Sequence, residues 1–173
     1  MNIKQNLRFI LFPIIVTAVL AAIWIYLSVH GQPKDIASYE QVWAASESRG
    51  FNPIDTTEVF IEAWGENSKG LEKSLSFQNG DTKLHYFIFD SDKKASSIRA
   101  SYWSYLRYDS GRYGTSGTNV EYKSSASNFT VYSVKTDEYY TVCTRVGNTV
   151  LYAECDADAR KSVCDIINEI GYN

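Results

Sequence analysis

The sequence predicts an α+β fold: an N-terminal transmembrane helix, then one domain in which three helices pack on a mainly antiparallel sheet of five to six strands. Two observations predict the sheet, namely segments that alternate apolar and polar residues and the short Gly-containing turns that join them. A third observation predicts the helices, since three segments repeat apolar residues at three- and four-residue spacing. The strand–helix–strand alternation of doubly wound folds is missing.

The first predicted element is a membrane anchor at residues 9–29, which contain no charged side chain. This stretch is long enough to cross a bilayer core of ~30 Å at ~1.5 Å per residue. Two positive residues, Lys4 and Arg8, precede it, whereas the opposite charges of Lys34 and Asp35 cancel after it. The positively charged flank of a membrane span stays in the cytoplasm. We therefore expect a single-pass protein of the cell membrane with an extracytoplasmic C-terminal domain.

These limits divide the chain into a cytoplasmic N-terminus at 1–8, the anchor, a linker at 30–37 and one extracytoplasmic domain at 38–173. The alternative is a cleaved signal peptide, which makes the domain a secreted protein. Small residues such as Ala22 offer cleavage sites, but cleavage there leaves the apolar segment 23–27 at the new terminus. An uncleaved anchor is the preferred interpretation.

Charge and composition narrow the function classes. The net charge of −3 and the pI of about 5.4 provide no basic field for nucleic acid, so nucleic-acid binding is disfavoured. Aromatic residues make up 14% of the chain, with 13 Tyr, which is typical of a folded, strand-rich domain. The three cysteines share no CxxC spacing and have no nearby His, so we predict neither a metal nor a cofactor.

The domain begins with a predicted helix at 39–49. Ser38 and Gln41 form a capping box, Gly50 supplies the left-handed end, and Phe51 folds back over the last turn. Residues 56–64 remain open between a short strand and an irregular segment.

A predicted hairpin follows, with strands at 71–78 and 83–89 joined by an Asn79-Gly80 turn. A two-residue turn at that point places Leu75 opposite Leu84 and Leu71 opposite Ile88. The second strand is apolar on both faces, so we expect it inside the sheet and covered on both sides.

The next predicted helix begins at Ser91 and Asp92 and runs to about Tyr108. A surface loop is expected at 109–118, and strands are expected at 119–123 and 129–135. The buried stripe of the helix is predicted to comprise Ala95, Ile98, Tyr102, Tyr105 and Leu106, broadened by Trp103.

The last predicted hairpin pairs strands 139–146 and 149–155 across Gly147-Asn148. This register points Cys143 and Cys155 to opposite faces, so they should not be bonded to each other. A final helix, capped by Asp158, should bury Ala159, Val163, Ile166, Ile167 and Ile170 and end at Gly171-Tyr172. A bridge between Cys155 and Cys164 is conceivable, and reduced thiols are at least as well favoured.

The strongest catalytic candidate is Asp90-Ser91-Asp92 at the end of an apolar strand. It resembles the first motif of haloacid-dehalogenase-type phosphotransferases, and the resemblance implies Asp90 as nucleophile, Asp92 as acid/base and a bridging magnesium ion. Lys93 and Lys94 depart from the small residues of that motif. The structural interpretation, favoured here, is that both acids cap the next helix. The alternative function is a small hydrolase or phosphotransferase.

A binding surface is the other candidate. Aromatic faces beside guanidinium groups bind sugars, peptides or quaternary ammonium groups, although aromatic residues at helical spacing are more often core. The candidate ligand-binding residues are Arg99, Trp103, Arg107, Arg112 and Tyr113.

In layout, the short basic N-terminus, the single span and the Tyr- and Ser-rich domain resemble uncharacterised single-pass membrane-anchored envelope proteins of Gram-positive bacteria. The resemblance implies an envelope location, but it does not imply any particular activity. We therefore expect a membrane-anchored extracytoplasmic domain that binds a partner protein or an envelope component and is not an enzyme.

Overall fold

The computed structural model describes residues 3–30, 33–104, 120–126 and 128–173. The chain divides into two units, Met1–Pro33 and Lys34–Asn173. Helix α1, Ile3–His30, makes up the first unit. In the part of the chain that the structure describes, no helix offers an apolar stretch of the length needed to cross a bilayer. The transmembrane anchor at 9–29 stays a prediction.

The second unit confirms the α+β class. Its described part has one more helix than the three predicted and seven strands where five to six were predicted. The elements are α2 (Tyr39–Glu47), β1 (Asn52–Asp55), α3 (Thr57–Trp64), a 3₁₀ turn (Gly65–Ser68), β2 (Leu71–Asn79), β3 (Thr82–Phe89), α4 (Asp92–Ser104), β4 (Val120–Ser125), β5 (Phe129–Lys135), β6 (Tyr139–Val146), β7 (Thr149–Asp156) and α5 (Arg160–Glu169).

The sheet consists of two antiparallel meanders that meet in its middle. Its strand order is β1-β2-β3-β7-β6-β5-β4, and every neighbouring pair is antiparallel. The first meander holds β1 to β3, the second holds β4 to β7, and α4 leads from the end of β3 toward the second meander. The seam between the meanders is the β3–β7 pairing, in which Leu84 lies opposite Ala153 and Tyr86 opposite Leu151.

Helices cover both faces of the sheet. On the first face, α2 and α5 pack over a core that includes Val42, Leu75, Phe77, Leu84, Tyr86, Val142, Val146, Leu151, Ala153, Cys155, Val163, Ile166 and Tyr172. On the second face, α3 and α4 pack over Leu71, Phe87, Phe89, Ala95, Cys143, Val150 and Tyr152. Strand β3 contributes to both cores, as predicted from its two apolar faces.

The register predicted for the first hairpin is wrong by two residues. Asn79 pairs with Thr82 around a Gly80-Asp81 loop, and Leu75 lies opposite Tyr86. Gly80 has φ +58°, and the first loop position of a tight hairpin turn favours glycine for that reason. A shift of two residues keeps each side chain on its predicted face. The exception is Leu71, because a bulge between Leu71 and Lys73 turns it to the second face.

The register of the last hairpin is confirmed. Val146 pairs with Thr149 across Gly147, which has φ +54°. Cys143 lies on the second face and Cys155 on the first, and all three cysteines are free thiols.

The capping box of α2 is confirmed, and the helix ends two residues earlier than predicted. The Ser38 hydroxyl accepts a hydrogen bond from the Gln41 amide at 3.2 Å, and the Gln41 side chain accepts one from the Ser38 amide at 2.7 Å. Beyond Gly50, the Phe51 amide donates to the Ser46 carbonyl at 3.1 Å, and Phe51 is buried. The helix therefore ends with a backbone hydrogen bond from Phe51 and with the Phe51 ring packed in the core.

Helix α5 ends in the same way but begins differently from the prediction. The Tyr172 amide donates to the Ile167 carbonyl at 2.8 Å beyond Gly171, and the Tyr172 ring is fully buried. The predicted cap, Asp158, is wrong: Ala159 occupies the cap position, without a side-chain hydrogen bond. The predicted apolar stripe is confirmed for Val163, Ile166, Ile167 and Ile170, which are buried, whereas Ala159 is only partly buried.

The segment left open at 56–64 is a helix, α3. The Asp55 carboxylate accepts hydrogen bonds from the Thr57 amide at 2.9 Å and the Thr57 hydroxyl at 2.6 Å, which fixes the first turn. Strand β1 precedes it at the sheet edge, where Pro53 is tolerated because one side of the strand needs no hydrogen-bond donor.

Helix α4 begins at Asp92, and its predicted stripe is confirmed for Ala95, Ile98 and Tyr102, which pack on the second face. The rest of the predicted helix and the predicted loop at 109–118 lie outside the described residues. The strand predicted at 119–123 is found as β4, which the structure describes from Val120 and which ends two residues later than predicted.

Residues 34–37, within the predicted linker, are hydrogen-bonded to the domain by side chains. The Asn128 amide binds both backbone groups of Lys34, at 2.9 Å and 2.7 Å. The Ala37 amide donates to the Tyr172 hydroxyl at 3.1 Å, and the Tyr86 hydroxyl donates to the Ala37 carbonyl at 2.6 Å. We call residues 34–37 the docked segment.

Candidate functional site

A cavity on the second face lies between α4 and the end of α3 with its 3₁₀ turn. It has a volume of about 540 Å³, and we call it the aromatic cleft. Its apolar walls come from Trp64, Ile98 and Tyr102. Among the described residues, its polar lining comes from Asn67, Lys94, Ser97 and Ser101. An apolar hollow with a few converging polar groups is the usual form of a ligand site.

Helical spacing brings the α4 residues to one side of the cleft. Positions 94, 97, 98, 101 and 102 recur at three- and four-residue intervals and so share one face of the helix. Trp64 reaches the opposite wall because it is the last residue of α3, and Gly65, with φ +52°, turns the chain there.

A layer of buried and half-buried rings supports the two aromatic walls. Trp64 lies 4.9 Å from Phe60 and 5.3 Å from Phe87, measured between ring centroids. Tyr102 stacks on Tyr152 at 4.7 Å and on Phe87 at 5.9 Å. Burial raises the pKa of Tyr102 well above its usual range, so its hydroxyl stays neutral. The walls are therefore held in place before any ligand arrives.

A second, charged cavity of about 390 Å³ adjoins the cleft and shares Lys94 and Ser97 with it. It is also lined by Lys69, Lys93 and Asp90. The site as a whole is apolar at one end and charged at the other.

The two carboxylates of the Asp90-Ser91-Asp92 motif have separate neighbours. Asp90 lines the charged cavity and accepts a hydrogen bond from the Ser91 hydroxyl at 2.8 Å. Asp92 lies 4.0 Å from the guanidinium group of Arg145 and is not part of that cavity's lining. The phosphotransferase alternative needs both carboxylates at one metal and one phosphate, and this placement gives it no support.

Gly70 explains how the Asp90 carboxylate fits where it does. The Asp90 amide donates to the Gly70 carbonyl at 2.8 Å. A Cβ atom at Gly70 would lie 2.8 Å from both carboxylate oxygens of Asp90, and Gly70 has φ +90°. Only glycine meets both conditions at this position.

The ligand-binding residues predicted from the sequence do not form the cleft as far as they are described. Arg99 lies on another side of α4, near Cys143. Burial raises the pKa of Cys143 to about 12, and the charge of Arg99 opposes that shift. Arg107, Arg112 and Tyr113 lie outside the described residues, as does the side chain of Trp103. The sequence reasoning missed Trp64, whose segment was left open.

His85 lies deeper on the second face, away from the cleft lining. Its Nδ1 atom is 2.8 Å from the Ser76 hydroxyl oxygen, and its ring stacks on Phe87 and Tyr152. This is the environment of a packed histidine. Over the described ranges, no group of three or more His, Cys, Asp or Glu side chains is placed to hold a metal ion.

Comparisons with known proteins give distant likenesses of fold. No family model and no curated protein matches the sequence significantly. Among solved structures, a GTP-binding regulator from Thermotoga maritima is similar, with 14% identity, 82% of this chain and 93% of that chain covered, and a TM-score of 0.43. The extracellular domain of PknH from Mycobacterium tuberculosis is similar with 9% identity, 83% and 100% covered, and a TM-score of 0.37. At these scores the likenesses carry no argument about activity.

Proposed function

We propose that this chain is a membrane-anchored extracytoplasmic binding protein and that the aromatic cleft is its ligand site. The observation that carries the proposal is the cleft itself, whose walls Trp64 and Tyr102 are supported from behind by buried rings. The uncharged stretch at 9–29, with basic residues before it, supports the anchor and its orientation. The protein is not proposed to be an enzyme.

The ligand that fits this lining is a sugar-bearing envelope component. Sugar rings have an apolar face that packs on an indole or phenol ring, and their hydroxyls need donors and acceptors around that ring. Ser97, Ser101 and Asn67 supply such groups. Lys94 adds a positive charge for an acidic substituent on the sugar.

The test is sedimentation of the purified full-length chain, in detergent, with insoluble cell-wall glycan. Trp64→Ala removes one wall of the cleft and is expected to weaken binding about tenfold, since an aromatic contact contributes ~1.5 kcal/mol. The matched control is Trp43→Ala. Trp43 is a half-buried tryptophan that packs on the first face through α2, and its loss should leave binding within about twofold.

Equal losses in the Trp64 and Trp43 variants would place binding outside the cleft. Absence of binding by the unaltered chain would show that the glycan is not the ligand.

The N-terminal sequence of the mature protein separates the anchored form from the secreted alternative, because signal-peptide cleavage removes residue 1 together with most of the predicted anchor.

A further inference from the structure

Two cysteines belong to the first-face core, where α5 packs on the sheet. Cys155 is on β7 and Cys164 is on α5, and both pack in the first-face core. Tyr140 on β6 pairs directly with Cys155, and the side chains of such a pair lie ~5 Å apart at Cβ. The Cys164 thiol lies 3.8 Å from the Tyr140 hydroxyl oxygen. Tyr140 therefore lies beside Cys155 at the Cβ end of its side chain and beside the Cys164 thiol at its hydroxyl end.

The causes of the pKa shift of Cys155 include the neighbouring Cys164 thiol. Burial raises the pKa of Cys155 to about 12, and the nearby Cys164 thiol and the charges of Asp156 and Asp158 contribute to this rise. The Arg160 guanidinium group, 5.1 Å from the centroid of the Tyr140 ring, opposes the shift. Cys143 belongs to the opposite face of the sheet and has no part in this cluster.

We propose that Cys155 and Cys164 are a disulfide-forming pair, which an oxidising medium converts from the two thiols of this structure to one bond between β7 and α5. Cys164 is partly exposed and Cys155 is buried, so the two have different roles in the reaction. The proposal is independent of the ligand in the aromatic cleft, which lies on the other face.

The oxidant is a small disulfide such as oxidised glutathione. Cys164 loses its proton, and its thiolate attacks one of the glutathione sulfur atoms; the first glutathione leaves as a thiolate and then takes up a proton. Cys155 then loses its proton and displaces the second glutathione from Cys164, which forms the intramolecular bond. Two cysteine sulfurs are oxidised and one glutathione disulfide is reduced. The second step should accelerate with rising pH, because burial favours the protonated form of Cys155.

Peptide mapping of the full-length chain tests the pair, because trypsin cleavage after Arg145, Arg160 and Lys161 places each cysteine in a separate peptide. Cys143 falls in residues 136–145, Cys155 in 146–160 and Cys164 in 162–173. After incubation of the folded chain with oxidised glutathione, the expected product is peptide 146–160 linked to peptide 162–173, with loss of two hydrogen atoms per chain.

Variants separate this bond from other thiol chemistry. Cys143→Ser should form the linked peptide to the same extent, and Cys164→Ser should not form it. Glutathione retained on Cys164, a link that includes Cys143, a link only between chains or three unreacted thiols would each overturn the proposal. Cys155→Ala should not form the linked peptide either, and if this variant does not fold, the unaltered chain and Cys164→Ser still decide the result.

Discussion

His85 is an imidazole held neutral by its surroundings. Phe60, Phe87 and Tyr152 lie around its ring, with centroid distances of 5.7, 6.1 and 6.3 Å. Burial lowers the pKa of His85 from its usual 6.5; the charge of Glu154 opposes this shift and that of Lys83 adds to it. Protonation of His85 is therefore less favourable in the folded protein than in the unfolded chain.

This difference gives stability a defined dependence on pH. The neutral ring contributes fully to the free energy of unfolding above pH ~6.5, the pKa of histidine in the unfolded chain. This contribution is lost as the pH falls from there toward the lower pKa of His85 in the folded protein. We predict that the urea midpoint of the chain declines more between pH ~7 and ~5 than that of His85→Gln, which has no proton to gain. Parallel declines in the two proteins would assign the pH dependence to other groups.

Among the elements, the docked segment is bound to the folded domain through the buried hydroxyl of Tyr172. The Tyr172 hydroxyl accepts from the Ala37 amide, lies 2.5 Å from the Thr149 hydroxyl and 3.3 Å from that of Tyr86. All of these groups are buried.

We predict that Tyr172→Phe lowers the free energy of unfolding by ~1–3 kcal/mol, since it leaves the buried Ala37 amide without a hydrogen-bond partner. Urea denaturation measures the change. The control is Tyr39→Phe, whose hydroxyl reaches an exposed carboxylate, Asp55, at 3.3 Å; its effect should stay within ~0.5 kcal/mol. Similar losses in both variants would contradict a structural role for the buried hydroxyl.

The elements also show what the sequence can and cannot determine. The last hairpin was predicted in register because Gly147-Asn148 offers one obvious two-residue loop. The first hairpin was not, because Asn79-Gly80 and Gly80-Asp81 are both plausible loops and residue types alone do not choose between them. Helix α3 was missed since it carries apolar residues on several sides, including exposed Val59 and Ile61, and so lacks a clear period.

The cleft shows the same limit for the candidate site. Tyr102 belongs to a helix whose stripe was predicted, but Trp64 comes from the segment that was left open. The two side chains meet only because α3 and α4 pack side by side on the second face. That pairing depends on the strand order, which no local pattern encodes.

For the molecule as a whole, the docked segment places the N-terminal limit of the folded domain at residue 34. We predict that a fragment 38–173 is less stable than a fragment 34–173 by ~2–4 kcal/mol, because the hydroxyls of Tyr86 and Tyr172 and the Asn128 amide lose backbone partners. Chemical denaturation of the two fragments measures the difference.

A double-mutant comparison makes this prediction specific. Tyr172→Phe should lower the free energy of unfolding less in 38–173 than in 34–173, since the shorter fragment lacks the Ala37 amide that donates to the Tyr172 hydroxyl. Equal costs in both fragments would show that the segment and the tyrosine act independently.

The seam between β3 and β7 has a consequence for the order of assembly. Each tight hairpin on either side of it, β2–β3 and β6–β7, closes a loop of two residues, whereas the seam joins strands separated by about 60 residues of chain. Local ribbons are expected to form early, and their docking carries the larger entropic cost. Nucleation of this domain is therefore expected to centre on the contact of Tyr86 with Leu151, and substitutions there should slow refolding more than they speed unfolding.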